Sequence, residues 1–281
     1  MDDLHSINDA INRRAGRKLG PSILVSLSLV AIVWASLAFE PIFFAALVTL
    51  AVCLGIREIS RAFAAAKTNI SINALTAAAI GLSAATWVDG VEGLAVATAV
   101  ALPILLISLL RNGPEGFVAR ATATTLVLVY LPFLAGFLIL LGNESNGLEQ
   151  IMTFVILVGC NDTFGYFVGV LIGKHPMAPT ISPKKSWEGL AGSLIFTMLG
   201  GALMFNYVLD IHWHIGAIVG VLIVFTATSG DLIESAMKRD LHLKDMGSLL
   251  PGHGGILDRL DSVLLSAPAL WMALELVQRY L

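Results

Sequence analysis

The chain has 281 residues, a formal net charge of −3 at pH 7 and a hydrophobic fraction of 57%. Soluble domains are about 45–50% apolar, and a mean hydropathy of +0.83 would require many long, all-round apolar helices in one soluble core. A soluble globular protein is therefore disfavoured. Both cysteines, Cys53 and Cys160, lie inside apolar runs, which disfavours a disulfide framework and a zinc site.

The apolar residues are concentrated in nine runs that polar connections separate. Most runs reach the roughly 17–25 residues that a helix needs to cross a bilayer, and the second is borderline in length. The runs cover residues 21–39, 41–56, 70–88, 93–110, 121–142, 150–173, 189–209, 213–230 and 262–278. They predict an all-α, polytopic integral membrane protein with about nine transmembrane helices. The first run has no clear Ala-x-Ala cleavage site and a second run follows at once, so it is interpreted as a span rather than a signal peptide.

The connections differ in charge between the two sides of the predicted membrane. If the N-terminus lies in the cytoplasm, every Lys and Arg except Arg279 falls on the cytoplasmic side. The opposite connections carry only acids: Glu40, Asp89, Glu92, Glu144, Glu149 and Asp210. Because cytoplasmic loops of membrane proteins are enriched in Lys and Arg, this asymmetry predicts an odd number of spans and a cytoplasmic N-terminus.

A short segment, residues 1–19, precedes the first span on the cytoplasmic side. Leu4, Ile7 and Ile11 recur at helical spacing with basic residues after them. This spacing favours a helix in the membrane interface, and a frayed tail is an equally compatible interpretation. Residues 20–281 contain no convincing internal repeat or linker and are interpreted as one transmembrane domain.

Two aspartates interrupt or end apolar runs. Asp162 lies near the middle of the sixth run and Asp231 ends the eighth. A carboxylate near the centre of a transmembrane helix costs roughly 2.5–3.5 kcal/mol, which usually marks an ion or substrate pathway. The alternative for Asp162 is an ion pair with a neighbouring helix, and the alternative for Asp231 is a simple interfacial charge.

Residues 235–262, "SAMKRDLHLKDMGSLLPGHGGILDRLDS", hold eight Asp, Lys and Arg residues, whereas charged residues make up 13% of the chain. A helix that continues from the eighth run would place Asp231, Glu234, Ser235 and Lys238 on one face, because residues three and four apart are neighbours on a helix. This face would bring a carboxylate pair and a basic side chain to the end of the span.

The last predicted span begins with Asp258 and Asp261, three residues apart and therefore on one side of its first turns. Carboxylates spaced by one turn suit Mg²⁺, although such a pair is often only a solvated face. The Gly-His-Gly-Gly turn at 252–255 exposes backbone N–H groups before this helix, as anion sites do, or is simply a turn. Basic residues lie close by: Lys238, Arg239 and Lys244. Together these features favour a metal–phosphate site at the cytoplasmic boundary of the membrane.

A second cytoplasmic segment, "SPKKSWE" at 182–188, adds Lys184 and Lys185 on the same side of the predicted membrane. Paired lysines at this depth bind anionic lipid at about 1 kcal/mol each. They could equally hold a triphosphate, and the residues do not separate the two interpretations.

The segment from Ser235 to Asp261 resembles, throughout its length, the signature of the phosphatidate cytidylyltransferases, also called CDP-diacylglycerol synthases. "SPKKSWEG" at 182–189 and "NDT" at 161–163 look like two further features of that family. The first 150 residues contribute only a span pattern to the resemblance.

The resemblance implies a reaction and a setting. CTP and phosphatidate would give CDP-diacylglycerol and pyrophosphate, with Mg²⁺ required and a second cation conceivable. The enzyme would be a polytopic homodimer of the cell membrane whose site, formed by polar residues within 160–262, faces the cytoplasm.

The resemblance also assigns roles to residues of this sequence. The expected cation ligands are Asp162, Asp231, Asp258 and Asp261. The expected phosphate-binding cations are Lys238, Arg239, Lys244 and Arg259. His253 would donate to pyrophosphate or cap its turn. The remaining substrate contacts are expected from Ser182, Lys184, Lys185, Ser235, Gly254 and Gly255.

Two other functions remain compatible with this sequence. A CTP-dependent lipid kinase of the polyprenol or phytol type would share the architecture but release CDP instead of pyrophosphate. An ion-coupled transporter would use intramembrane acids such as Asp162 and Asp231, although it would not explain the long charged segment before the last span.

Overall fold

The computed structural model describes residues 19–243, 245–247 and 255–280, which are mostly helical. The helices are α1 (Leu19–Phe39), α2 (Pro41–Ala65), α3 (Ile72–Leu109), α4 (Phe117–Leu128), α5 (Leu134–Asn143), α6 (Gly147–Ile172), α7 (Trp187–Tyr207), α8 (Trp213–Asp240) and α9 (Leu257–Tyr280). The predicted interfacial helix lies outside the described residues.

Seven helical segments of the described chain are long and apolar enough to cross a bilayer. They are α2, α3 with the short 3₁₀ turn after it, α4 and α5 joined, α6, α7, α8 and α9. A shorter apolar stretch, Leu27–Phe39, lies in α1. The prediction of an all-α membrane protein is therefore confirmed, while the count of nine spans stays a prediction.

Helix α3 contains both the third and the fourth predicted runs. It is interrupted at Asp89 and Gly90, and Gly90 has a φ of 58° and a ψ of −139°. Such a positive φ is readily accessible to glycine because it has no Cβ. Gly81 before the interruption and Ala97 after it line the same groove. The two legs of α3 therefore lie side by side as a helical hairpin.

Helices α4 and α5 are joined by a π-helical turn, Val129–Phe133, that contains Pro132. Proline lacks the N–H group that the regular helical pattern requires, and π-helical turns occur frequently at functional sites. Tyr130 in this turn is buried, with 4% of its surface exposed. The fifth predicted run thus forms one long apolar segment with a local irregularity at its centre.

Between α6 and α7 the chain forms a small antiparallel hairpin of β1 (Pro176–Ala178) and β2 (Ser182–Ser186), in which Pro176 pairs with Ser186. Neither strand was predicted from the sequence. Ser186 caps α7, because its Oγ accepts a hydrogen bond from the Gly189 N–H at 3.1 Å. The hairpin thus holds the end of β2 against the start of α7.

Helices α8 and α9 approach each other closely at Gly230. A Cβ at this position would overlap the backbone carbonyl of Asp261 and would lie 3.5 Å from the Cα of Ser262. Small residues at helix interfaces permit such close backbone contact in membrane proteins. The contact sets Asp231, the next residue of α8, beside the first turns of α9.

Candidate active site

A cavity of about 500 Å³ opens between α6, α7, α8 and β2. Its wall includes Asp162 from α6, Lys184 and Lys185 from β2, and Asp231 from α8. Three elements that are distant in sequence therefore bring two carboxylates and two ammonium groups to one space. A cavity of this size and mixed polarity can receive a charged ligand.

Lys185 and Asp231 form an ion pair across this cavity. The Lys185 Nζ lies 2.5 Å from the Asp231 Oδ2, and about a quarter and a third of the two side chains are exposed. Lys184, the neighbouring residue of β2, is exposed at the cavity wall. The pair joins the hairpin to α8, and its partial exposure leaves both charges accessible to a ligand.

Asp162 is exposed to the cavity although it belongs to a membrane-spanning helix. Its two carboxylate oxygens accept hydrogen bonds from Asn161 Nδ2 at 2.9 Å and from Ser262 Oγ at 3.2 Å. Asn161 is buried, and within the described part of the chain its Oδ1 has no hydrogen-bond partner. The cavity wall therefore holds both a fixed carboxylate and an unused amide oxygen.

A second group of charges surrounds Lys238 on α8. Its Nζ lies 2.7 Å from Glu234 Oε2 and 3.0 Å from Asp258 Oδ1. Asp258 also accepts hydrogen bonds from the backbone N–H groups of Gly255 at 2.6 Å and Met246 at 3.2 Å. Asp258 is thus occupied in holding the segment before α9 against α8.

Glu234 has an unusual environment for a carboxylate. Its side chain is fully buried, and its Oε1 has no hydrogen-bond partner among the described residues. A buried, unpaired acceptor is costly unless a bound group satisfies it. Glu234 shared the predicted face of α8 with Asp231, but it was not assigned a role from the sequence.

Asp261 lies between the two charge groups, where Asp162, Asp231 and Glu234 are its electrostatic neighbours. Its Oδ1 accepts the backbone N–H of Ser262 at 2.7 Å. The hydroxyl of Tyr130, in the π-helical turn, also has Asp231, Glu234 and Asp261 as electrostatic neighbours. It has no hydrogen-bond partner among the described residues. Negative charge is therefore concentrated where α8 and α9 meet.

The acidic side chains of this site suit Mg²⁺ only if other ligands complete its coordination. Across the described ranges, no three His, Cys, Asp or Glu residues are grouped so that they could hold a metal ion by themselves. Mg²⁺ is, however, usually bound through one or two carboxylates, several waters and substrate phosphates rather than by an all-protein cage. Asp162, Asp231, Glu234 and Asp261 bring carboxylate oxygens close together, which suits a cation whose remaining ligands come from a substrate.

Comparison with known proteins identifies the family. The model of the cytidylyltransferase family matches residues 22–277. The chain belongs to this family. Phosphatidate cytidylyltransferases from Mycobacterium bovis and Mycobacterium leprae are 39% and 37% identical to it, each over 94% of this chain and 90% of the relative. One from Staphylococcus haemolyticus is 35% identical over 67% of this chain and 71% of the relative. The predicted resemblance and enzyme class, a nucleotidyltransferase, are confirmed.

This cytidylyltransferase brings together most of the described residues that were singled out from its sequence. Asp162, Lys184, Lys185 and Asp231 line the cavity, and Asp261 is a neighbour of its two acids. The adjacent group around Lys238 contains Asp258 and, through its N–H, Gly255. The catalytic and ligand roles of these residues stay predictions.

The other predicted site residues have more peripheral positions. Arg239 is exposed and donates from Nε to the Ile181 carbonyl at 3.2 Å, which ties α8 to the turn of the hairpin. Ser182 begins β2, and Ser235 and Arg259 are half-buried on α8 and α9. Three predicted residues lie outside the described part of the chain: Lys244, His253 and Gly254.

Two residues from the N-terminal half of the cytidylyltransferase were missed. Glu58 of α2 accepts hydrogen bonds from the backbone of Ile256 and Leu257, and Tyr130 approaches the acids of α8 and α9. Glu58 lies between Arg57 and Arg61 and therefore had the pattern of a solvated helix end. The proximity of Pro132 to Tyr130 was the only local signal of an irregular helix.

Proposed function

We propose that this chain transfers the cytidylyl group of CTP to phosphatidate and so produces CDP-diacylglycerol and pyrophosphate. The observation that carries the proposal is the cavity in which Lys184 and Lys185 face Asp162 and Asp231. Membership in the cytidylyltransferase family and the names of the relatives supply the reaction class. A membrane-embedded chain suits a reaction between a lipid phosphate and a soluble nucleotide.

The topology we propose has nine spans, with the N-terminus and the active site on the cytoplasmic side of the cell membrane. Six long helical segments other than α3 would each supply one span. Helix α1 and the two legs of α3 would supply the other three. The distribution of Lys and Arg supports this orientation.

Single cysteines introduced at Lys67 and Asn146, with Cys53 and Cys160 replaced by Ser, test this topology. An impermeant reagent applied to intact cells should label only the second position, and the reverse pattern would contradict the topology.

Phosphate binding is assigned first to the two lysines of β2. The Lys185 Nζ forms an ion pair with Asp231, and a triphosphate would offer it a stronger set of partners. Exchange of partners would place positive charge on the nucleotide and release an Asp231 oxygen. Lys238, Arg239, Lys244 and Arg259 would neutralise the rest of the phosphates from the end of α8 and the start of α9.

We assign Asp162, Asp231 and Asp261 to Mg²⁺ binding only together with the phosphates of CTP, since the described carboxylates do not form a group that could hold the ion by themselves. When bound, it would supply charge neutralisation between the phosphate groups of the two substrates. Asp258 was also predicted as a ligand, but its oxygens already accept from Lys238, Gly255 and Met246. We therefore assign Asp258 to holding the segment before α9.

The reaction needs little covalent work from the protein. A phosphatidate oxygen attacks the α-phosphorus of CTP, a new P–O bond forms, and the bond to pyrophosphate breaks. Positioning of the two substrates and stabilisation of the developing charge account for most of the rate enhancement in such transfers. The residues of the cavity would orient the triphosphate, and the surrounding helices would keep the lipid phosphate at the same depth.

Product analysis tests the reaction directly. Purified protein with CTP, phosphatidate and Mg²⁺ should release pyrophosphate and form CDP-diacylglycerol in equal amounts. Release of CDP with phosphorylation of a lipid alcohol would identify a kinase instead, and ion flux without CTP consumption would identify a transporter. The predicted homodimer is tested on the same preparation by its mass in detergent.

A further inference from the structure

Glu58 of α2 contacts the start of α9 across almost 200 residues of sequence. Its side chain is buried, with 5% of the residue exposed. Its Oε1 accepts the backbone N–H of Ile256 at 3.1 Å, and its Oε2 accepts the backbone N–H of Leu257 at 3.0 Å. The first N–H groups of a helix have no partner within the helix. Glu58 therefore acts as a remote cap for α9, and its charge is favourable at this end of the helix dipole.

Two glycines before α9, Gly247 and Gly255, lie against this carboxylate. A Cβ on Gly247 or on Gly255 would overlap the carboxylate of Glu58. The backbone thus approaches Glu58 from two sides, and a side chain at either glycine would displace it. This contact gives a physical reason for glycine at both positions.

Apolar packing next to Glu58 holds the same two helices together. Leu257, the first residue of α9, is fully buried. A Cβ on Gly55, one turn before Glu58 on α2, would lie 4.0 Å from the Cδ1 of Leu257. The start of α9 is thus seated on α2 by a buried side chain and by two hydrogen bonds to one carboxylate.

Two carboxylates therefore fix the backbone at the start of α9 from different sides. Asp258 accepts the N–H groups of Gly255 and Met246 and pairs with Lys238 of α8. Glu58 accepts the next two N–H groups along the chain and ties them to α2. Asp261 follows one turn later, so its distance from Asp231 depends on where α9 begins.

We propose that Glu58 is a positioning residue for the transfer reaction: it fixes the backbone of Ile256 and Leu257 at the start of α9 and thereby aims Asp261. The inference rests on the proposed function and extends it, because it gives the N-terminal half a part in catalysis beyond crossing the membrane. Glu58 itself touches neither substrate.

The direct test replaces Glu58 by Gln, which has nearly the same shape but carries an NH₂ donor in place of one acceptor oxygen. We expect the half-saturating Mg²⁺ concentration to rise or the turnover to fall by about 10- to 100-fold, as for other residues that orient metal ligands. Hydrogen exchange at residues 255–257 should become faster while the rest of the protein keeps its protection. The control is Glu40→Gln, an exposed acid between α1 and α2, which should leave both measurements unchanged.

A pair of further variants keeps the test informative if Glu58→Gln folds poorly. Gly247→Ala should impair activity and thermal stability in the wild-type background because its methyl group collides with Glu58. In a Glu58→Ala background the added methyl group has room, so the second substitution should cost much less. Such non-additivity is expected of residues in direct contact.

The proposal is overturned if Glu58→Gln keeps wild-type Mg²⁺ dependence, turnover and local exchange, or if Gly247→Ala costs the same in both backgrounds. Loss of protection throughout the protein in Glu58→Gln, with additive effects in the double variant, would assign Glu58 a general structural role and also overturn it. If the wild-type protein forms no CDP-diacylglycerol, the proposed function fails. The exchange and thermal stability measurements would then still decide whether Glu58 holds the start of α9.

Discussion

Lys185 and Asp231 join the β-hairpin to α8 through an ion pair of 2.5 Å at the wall of the cavity. Both side chains are partly exposed, so the pair itself contributes at most about 1 kcal/mol to stability. Its position, beside Asp162 and Lys184, gives it more importance for ligand binding than for folding. The two charges neutralise each other, and under the proposed function a phosphate group would offer Lys185 another partner.

Lys185→Ala should therefore reduce activity far more than stability. We expect kcat/KM for CTP to fall by about 100-fold, since hydrogen bonds to charged groups contribute about 1.5–3 kcal/mol, while the melting temperature changes little. The rate at several CTP concentrations and a thermal melt measure the two effects. Lys174→Ala is the matched control, because Lys174 is exposed near the same hairpin and does not line the cavity. Equal losses in both variants would contradict a specific role for Lys185.

Asp258 and Asp261 are three residues apart on α9, yet their substitution by Asn should affect stability in opposite directions. Asp258→Asn removes one of the two charged partners of Lys238 and one of its own two acceptor oxygens, which should destabilise the fold by about 1–3 kcal/mol. Asp261→Asn removes a charge that other carboxylates repel, so stability should be unchanged or higher. Both variants should lose nearly all turnover.

Thermal melts and initial rates of the two purified variants measure this contrast. Near-normal activity of Asp261→Asn would remove Asp261 from the proposed cation site. A stable, fully active Asp258→Asn would show that its contacts to Lys238 and to the segment before α9 have no functional role.

The span pattern was predictable because it depends on composition over long windows. Each apolar run falls on a described helix, and Asp162 and Asp231 were recognisable as unusual within their runs. The two legs of α3 were also anticipated, because Asp89, Gly90 and Glu92 separate the third run from the fourth, and the structure interrupts the helix at Asp89 and Gly90. The β-hairpin at 176–186 was missed, because its sequence contains three prolines and reads as a loop.

The site was predictable where its chemistry is local in sequence and hidden where it depends on distant contacts. Helical spacing placed Asp231, Glu234 and Lys238 on one face of α8, and Glu234 and Lys238 form an ion pair there. Spacing also placed Asp258 beside Asp261, but it could not indicate that Asp258 is occupied by backbone N–H groups. Glu58 could not be found in this way, because its partners are about 200 residues further along the chain.

Tyr130→Phe, in the π-helical turn, should lower activity without lowering stability. The substitution removes a hydroxyl that is buried without a partner among the described residues, so stability should stay the same or rise. We expect activity to fall by about 10-fold if that hydroxyl donates to the acids of α8 and α9 when substrates are bound. Thermal melts and kcat with saturating CTP measure the two effects. Leu131→Ala at the next, fully buried position is a contrasting control that should lower stability. Unchanged activity of Tyr130→Phe would exclude its hydroxyl from the site.

Removal of Mg²⁺ should abolish activity, and its binding should depend strongly on CTP. The described carboxylates do not form a three-residue group that would hold the ion without substrate, so Mg²⁺ alone should produce only a small thermal shift. CTP phosphates would complete the coordination, and by linkage each ligand should raise the affinity for the other by the same factor. Titration of Mg²⁺ with and without CTP, followed by thermal shift or calorimetry, measures this coupling. Tight Mg²⁺ binding without nucleotide, unchanged by CTP, would mean that the ion is held by the protein alone and would contradict the shared site.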